Sequence, residues 1–161
     1  MKKSLFLILS AILLLCTSCD TSDSTAYKDL VFGMTLEEVQ EKGYCSGEKS
    51  ISEEGFDSYR CIYSDFAGIK YEKCELIFQD NKLVKVHFYN STFDALYQKE
   101  ISSKINDYLT SKFGPAKSLN KCLGWKDDKR TYIWYVHIND EPFMYVNELA
   151  IFGNDSYKSQ K

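Results

Sequence analysis

Six cysteines and two histidines are the residues of this 161-residue chain whose types could carry specific chemistry. Cys16 and Cys19 stand three apart in "LLLCTSCDTSD", the spacing of a dithiol redox pair or half of a metal site. Such a pair needs a folded, electropositive surround to lower a thiol pKa, and the apolar run before it offers none. Cys45, Cys61, Cys74 and Cys122 are an even set, which in an exported chain reads as two disulfides with three possible connectivities. Cys61 and Cys74 flank a hairpin symmetric about Ala67 and Gly68, so a cross-strand bridge there is one option. Cys45–Cys61 with Cys74–Cys122 is the pairing the spacing favours slightly. No CxxC or nearby histidine accompanies these four, which argues against zinc. His87 and His137 sit in alternating segments, beside Lys85 and Tyr135 respectively, and read as surface residues on two separate outward faces. "GYCSGEKS" fails as a phosphate loop because Glu48 separates Gly47 from Lys49. Glu37–Glu38 and Asp127–Asp128 fit a helix first turn and a tight turn. HxxH, HExxH, GxSxG and the EF-hand loop are all missing from the sequence. The expectation is no catalytic residue, no metal and no cofactor: not an enzyme.

The segment before Cys19 explains the cysteine pair. Lys2 and Lys3 precede the uncharged run Leu5 to Leu15, too short to span a bilayer and typical of a secretory signal. Thr17 and Ser18 then lead into Cys19, which resembles the bacterial lipobox, with Cys16 standing where leucine is usual. The resemblance implies that residues 1–18 are removed and that Cys19, diacylated (palmitate among its acyl chains), becomes the first residue. Two acyl chains anchor a protein stably without a spanning helix. The expected location is a membrane surface facing the periplasm, with inner and outer membrane both open.

Loss of residues 1–18 removes two lysines and leaves 18 basic and 23 acidic side chains, a net charge of −5. That balance disfavours nucleic acid, which is bound through basic patches. The remaining length suits one domain with a real core. Its expected layout is a tether over 19–27, one domain over 28–153, and a polar tail over 154–161.

Two helices and about six strands are expected within the domain. Thr35 with Glu38 forms a capping box for the first helix and Gly43 stops it, with Met34, Leu36 and Val39 inward. From Phe93 the apolar residues Tyr97, Ile101, Ile105, Tyr108 and Leu109 recur at helical spacing until Gly114 and Pro115. "CELIFQ" and "LVKVHF" alternate as strands. For their apolar faces to coincide, Phe78 should pair with Val84 across a three-residue turn, Asp80 to Lys82.

"RCIYSD" resembles "KCLGWKDD" at an offset of 61 residues, and "IFQDNKL" resembles "HINDEPF" at 60. Two half-repeats, about 28–90 and 91–153, follow from this. The expected fold is α+β: a tandem α-β-β-β repeat whose antiparallel sheet carries both helices on one face. "FGMTLEEVQEKG", following an acylated cysteine and a short linker, resembles the helix start of the small SmpA/OmlA (BamE) lipoproteins. The two-half layout is similar to the β-lactamase-inhibitor-protein fold. Both resemblances imply binding proteins without catalytic residues.

Aromatic excess is the remaining signal. "TYIWYVHI" puts Tyr132, Trp134, Val136 and Ile138 on one face, with Ile133 and Tyr135 on the other. With two helices on one side of the sheet, the second side has nothing to cover it. An uncovered aromatic face favours partner binding, and Tyr132, Trp134 and Tyr135 are the candidate partner-binding residues. The functional expectation is a membrane-anchored lipoprotein with a non-catalytic protein-binding role, accessory to an envelope complex. The alternative is an inhibitor or immunity protein blocking a toxin or lytic enzyme.

Overall fold

The computed structural model describes residues 25–53, 55–119, 121–140 and 143–154. The expected signal segment, the expected acylation site Cys19 and the residues beyond 154 lie outside them. In chain order the elements are β1 (Thr25–Tyr27), β2 (Leu30–Val31), α1 (Leu36–Glu41), β3 (Cys45–Glu53), β4 (Phe56–Cys61), β5 (Asp65–Phe66) and β6 (Ile69–Lys70). Then follow β7 (Lys73–Gln79), β8 (Lys82–Thr92), α2 (Ala95–Phe113), β9 (Lys117–Leu119), β10 (Cys122–Lys126), β11 (Arg130–Asp140) and β12 (Phe143–Gly153). Eight strands form one antiparallel sheet in the order β3-β4-β7-β8-β12-β11-β10-β9, and β1-β2 and β5-β6 are separate two-stranded ribbons. The protein is α+β with strand predominant. A helix followed by a four-strand meander occurs twice, and the last strands of the two series meet, with Phe88 opposite Leu149 and Asn90 opposite Asn147.

The sheet has two strands more than the sequence led us to expect, and both are edges. One is β3, whose Lys, Glu and Ser residues suit an edge strand, where charge blocks further pairing. At the opposite edge β9 is exposed throughout. The domain is also slightly longer than expected. Ala26 and Tyr27, assigned to the tether, are buried. At the other end Asn154 accepts from Thr131 Oγ1 at 2.8 Å and donates to the Asp127 carbonyl at 3.0 Å.

Both helix starts follow their caps. Thr35 and Glu38 form the reciprocal capping box of α1, and Val39 is its buried residue. Asp94 caps α2 by accepting from Leu96 N and Tyr97 N, which leaves Phe93 outside the helix and exposed. Ile101, Ile105 and Leu109 bury the inner stripe of α2 in the same core as Val39, Leu76, Phe88 and Leu149. The two ribbons pack on this side too: Tyr27 lies edge-on to Phe88 at 5.0 Å, and Phe66 bridges Phe88 and Tyr108. One face of the sheet is therefore covered, and no described element lies over the other.

The β7–β8 connection corrects the expected register. Gln79 pairs with Lys82 and Phe78 with Leu83, so the turn holds two residues, Asp80 and Asn81. Both have positive φ (49° and 58°), as a type I′ turn requires and as Asp and Asn tolerate. The register then shifts between Ile77 and Phe78, which leaves Val84 as an extra residue. This bulge reconciles the tight turn with the face rule, since Leu83 and Val86 both reach the core.

One expected cysteine pairing is corrected; Cys45, Cys61, Cys74 and Cys122 are unbridged in this structure. Cys45 is the direct cross-strand partner of Cys61, and the Cys74 thiol on β7 hydrogen-bonds the Cys61 sulfur. Burial pushes the Cys74 thiol well above its ordinary value. A Cys74–Cys122 bridge is ruled out by the sheet order. Three strands separate β7 from β10, roughly 19 Å at ~4.8 Å per step, against a Cα limit of about 7 Å. Cys61 and Cys122 also point to opposite faces, so that internal match does not keep its geometry. The match at an offset of 60 does, because Phe78 and Ile138 both lie on the helix side.

Candidate functional site

The uncovered face is built from the residues that alternate with the core. On β7 these are Lys73, Glu75 and Ile77; on β8, Lys85, His87 and Tyr89; on β12, Val146, Glu148, Ala150 and Phe152; on β11, Ile133, Tyr135 and His137. Their polar members join into a row across the middle of the sheet. Ser50 Oγ donates to Glu75 Oε1 at 3.1 Å. Glu75 Oε2 lies 3.9 Å from His87 Nδ1, and His87 Nε2 hydrogen-bonds Glu148 Oε2 at 2.9 Å. On its far side Glu148 Oε1 lies 3.9 Å from His137 Nδ1, a buried ring nitrogen with no hydrogen-bond partner among the described residues. The row crosses from edge strand β3 to β11 and contains both histidines of the chain. The sequence placed those two on separate faces; the β8–β12 pairing puts them on one.

The four titratable side chains of the row are 21–31 % exposed, reachable from solvent and yet partly desolvated. The His87 hydrogen bond holds the Glu148 carboxyl below its ordinary value, against the opposing effect of burial. Beside the row a cleft of about 310 Å³ is lined by His87, Cys122, Ile133, Tyr135, Glu148 and Phe152. Cys122, Tyr135 and Glu148 share one cross-strand row, with Tyr135 in the middle. Two strand spacings, roughly 10 Å, hold the Cys122 sulfur apart from the Glu148–His87 pair, too far for a thiol–imidazole dyad. The described residues contain no cluster of three or more His, Cys, Asp or Glu able to hold a metal. What the arrangement offers is two carboxylates and two imidazoles at the centre of an aromatic and aliphatic surface. Such a surface can exchange hydrogen bonds with a partner.

Residues 27–137 match the model of a family described as "Uncharacterised protein". The chain belongs to that family. No curated protein and no solved structure matches it. The matched segment runs from β1 into β11, so it includes Glu75, His87, Tyr135 and His137 and stops short of Glu148.

Of the three aromatic residues expected to bind a partner, only Tyr135 lies on the uncovered face. Tyr132 and Trp134 are 4 % and 7 % exposed and face the helix side. Tyr132 stacks on Phe113 of α2, with ring centroids 4.8 Å apart. The physical reason is parity: in an eight-stranded sheet with one covered side, the heavier aromatic face of β11 is the one that α2 buries. A further cleft, about 610 Å³ beside the C-terminal end of α2, presents Lys28, Lys112 and Arg130. Each already has a partner: Lys28 pairs with Asp65 at 3.2 Å, Arg130 with Asp127 at 2.8 Å, and Lys112 lies over the Tyr108 ring. No helix among the described residues is long and apolar enough to cross a membrane.

Proposed function

We propose that this protein is a lipid-anchored envelope lipoprotein that binds a protein partner through the uncovered face of its sheet, without catalysis, as an accessory to an envelope complex. The observation that carries the reading is the Ser50–Glu75–His87–Glu148–His137 row set among Ile77, Tyr89, Ile133 and Tyr135, with no described element over it. Fixed polar groups among aromatics make a surface whose hydrogen bonds select the partner while the rings supply buried area. Acylated Cys19 would hold this face at the membrane surface, on the periplasmic side if the lipobox resemblance is followed. The finer fold reading belongs here as well: we propose that the two helix-plus-meander series are halves of a tandem repeat. The mirrored strand order and the face-preserving match of Phe78 with Ile138 support it.

The test is crosslinking of the acylated protein in its native envelope, followed by mass spectrometry, with Tyr135→Ala and His87→Ala as variants. Capture of one partner by the wild type and its loss in both folded variants is the expected result. A partner retained by both variants moves binding to the loops or the helix side. Label appearing on the acyl chains but on no protein overturns the reading.

A further inference from the structure

A second site lies on the opposite side of the sheet, and its argument does not depend on the binding face above. Where the first turns of α2 cross β10, β11 and β12, a cleft of about 500 Å³ opens between helix and sheet. Its apolar walls come from Leu123, Val136 and Ile138. Two side chains lining it are more than nine-tenths buried and carry a polar atom without a hydrogen-bond partner among the described residues: Gln98 Oε1 and Trp134 Nε1, each residue 7 % exposed. A buried group of this kind costs free energy unless something pairs with it. Gln98 is not free to turn. Its Nε2 donates to Ser102 Oγ at 3.1 Å, and Ser102 Oγ donates back to the Gln98 carbonyl at 3.0 Å, which fixes Oε1 as the acceptor. The indole N–H of Trp134 is a donor only.

One acceptor thus comes from the helix wall and one donor from the sheet floor. A trans secondary amide has its N–H and C=O on opposite edges and matches that pair with a single group. A carboxylate fits poorly, because it has nothing to donate to Gln98. The Leu123, Val136 and Ile138 walls suit aliphatic side chains beside the amide, while Ser102, Lys121 and Tyr145 supply the remaining polar lining. The geometry points to a binding site for an extended peptide segment with apolar side chains, one main-chain amide of which donates to Gln98 Oε1 and accepts from Trp134 Nε1.

The experiment titrates the folded domain by NMR with N-acetyl-leucine N-methylamide, and separately with its ester analogue, methyl 2-acetoxy-4-methylpentanoate. Both probes keep the leucine side chain and both carbonyls, but the methyl ester has no N–H to donate to Gln98 Oε1. Saturable shifts at residues around Gln98 and Trp134 are expected, with the methyl ester about tenfold weaker, the factor for leaving one buried polar group unpaired. Trp134→Phe, which keeps a ring and removes the N–H, should weaken the amide probe to a similar degree while the thermal unfolding transition stays cooperative. Equal affinity for amide and ester overturns the proposal, as does the absence of saturable shifts with either. Saturation by an N-acetylglucosamine trimer but not by the leucine amide would overturn the peptide assignment in favour of an acetamido sugar.

Discussion

The two faces of the sheet are made by the same strands and differ in what covers them. On β8 the helix side carries Val86 and Phe88, both fully buried, while the other side carries Lys85, His87 and Tyr89. On β11 the helix side carries Tyr132 and Trp134, and the other carries Ile133, Tyr135 and His137. On the covered face, shape complementarity to α2 and the two ribbons decides each residue, and aliphatic and aromatic side chains interlock. On the uncovered face, hydrogen bonds and charge decide, and the four titratable side chains of the row stay between a fifth and a third exposed. The difference teaches that aromatic content alone does not locate a binding surface here. The richest aromatic stretch of the chain spends most of its rings on the core.

Substitutions can break or sharpen that contrast. Phe88→Ala and Trp134→Ala on the covered face should each cost about 3–5 kcal/mol by urea unfolding, through the cavity each leaves. Tyr135→Ala, one residue along the same strand, should cost at most about 1 kcal/mol. A Tyr135 loss equal to that of Trp134 would mean the second face is covered after all. Thiol labelling makes the same comparison without mutation. Cys122 on the uncovered side should react with iodoacetamide about a hundredfold faster in the native state than buried Cys45, Cys61 and Cys74, which need local opening. A Cys122 silent to labelling until reductant is added would mean that its thiol is held in a disulfide to another molecule.

A smaller effect tests α1. Thr35→Ala removes the cap acceptor and should cost about 1 kcal/mol, read as a shift in the urea midpoint without a change in slope. The smallest concerns Glu148. Its carboxyl titrates lower in the folded protein than its ordinary 4.5 because His87 donates to it. A depressed folded value contributes stability that is present above the unfolded value and is lost as pH falls through the folded one. Glu148→Gln should therefore lose less stability than wild type between about pH 5 and about pH 3, with a difference below about 1 kcal/mol at neutral pH. Parallel stability–pH curves for the two proteins would mean that the His87 contact does not form in solution.

Local features were legible because their causes are local. The capping box at Thr35 and Glu38, the stripe Ile101–Ile105–Leu109, the hairpin about Ala67 and Gly68 and the alternation of β7 and β8 each depend on residues within a few positions of one another. The β7–β8 register was misjudged for a related reason. Face matching and turn chemistry pulled in different directions, and the chain satisfied both by placing a bulge at Val84, which no alternation rule anticipates. The polar edge strand β3 was invisible because an edge needs no apolar face of its own.

What the amino-acid sequence determined by itself is therefore the element types, the caps, the apolar alternation and the acylation signature that awaits testing at Cys19. Only the tertiary structure decided that β8 lies beside β12. That single non-local pairing joins His87 to Glu148, 61 residues away, and brings both histidines to one face. It also leaves three strands between Cys122 and Cys74. Neither outcome could be read from spacing, because the order of strands in a sheet is set by how two meanders bury one common core and not by any property of the strands taken singly.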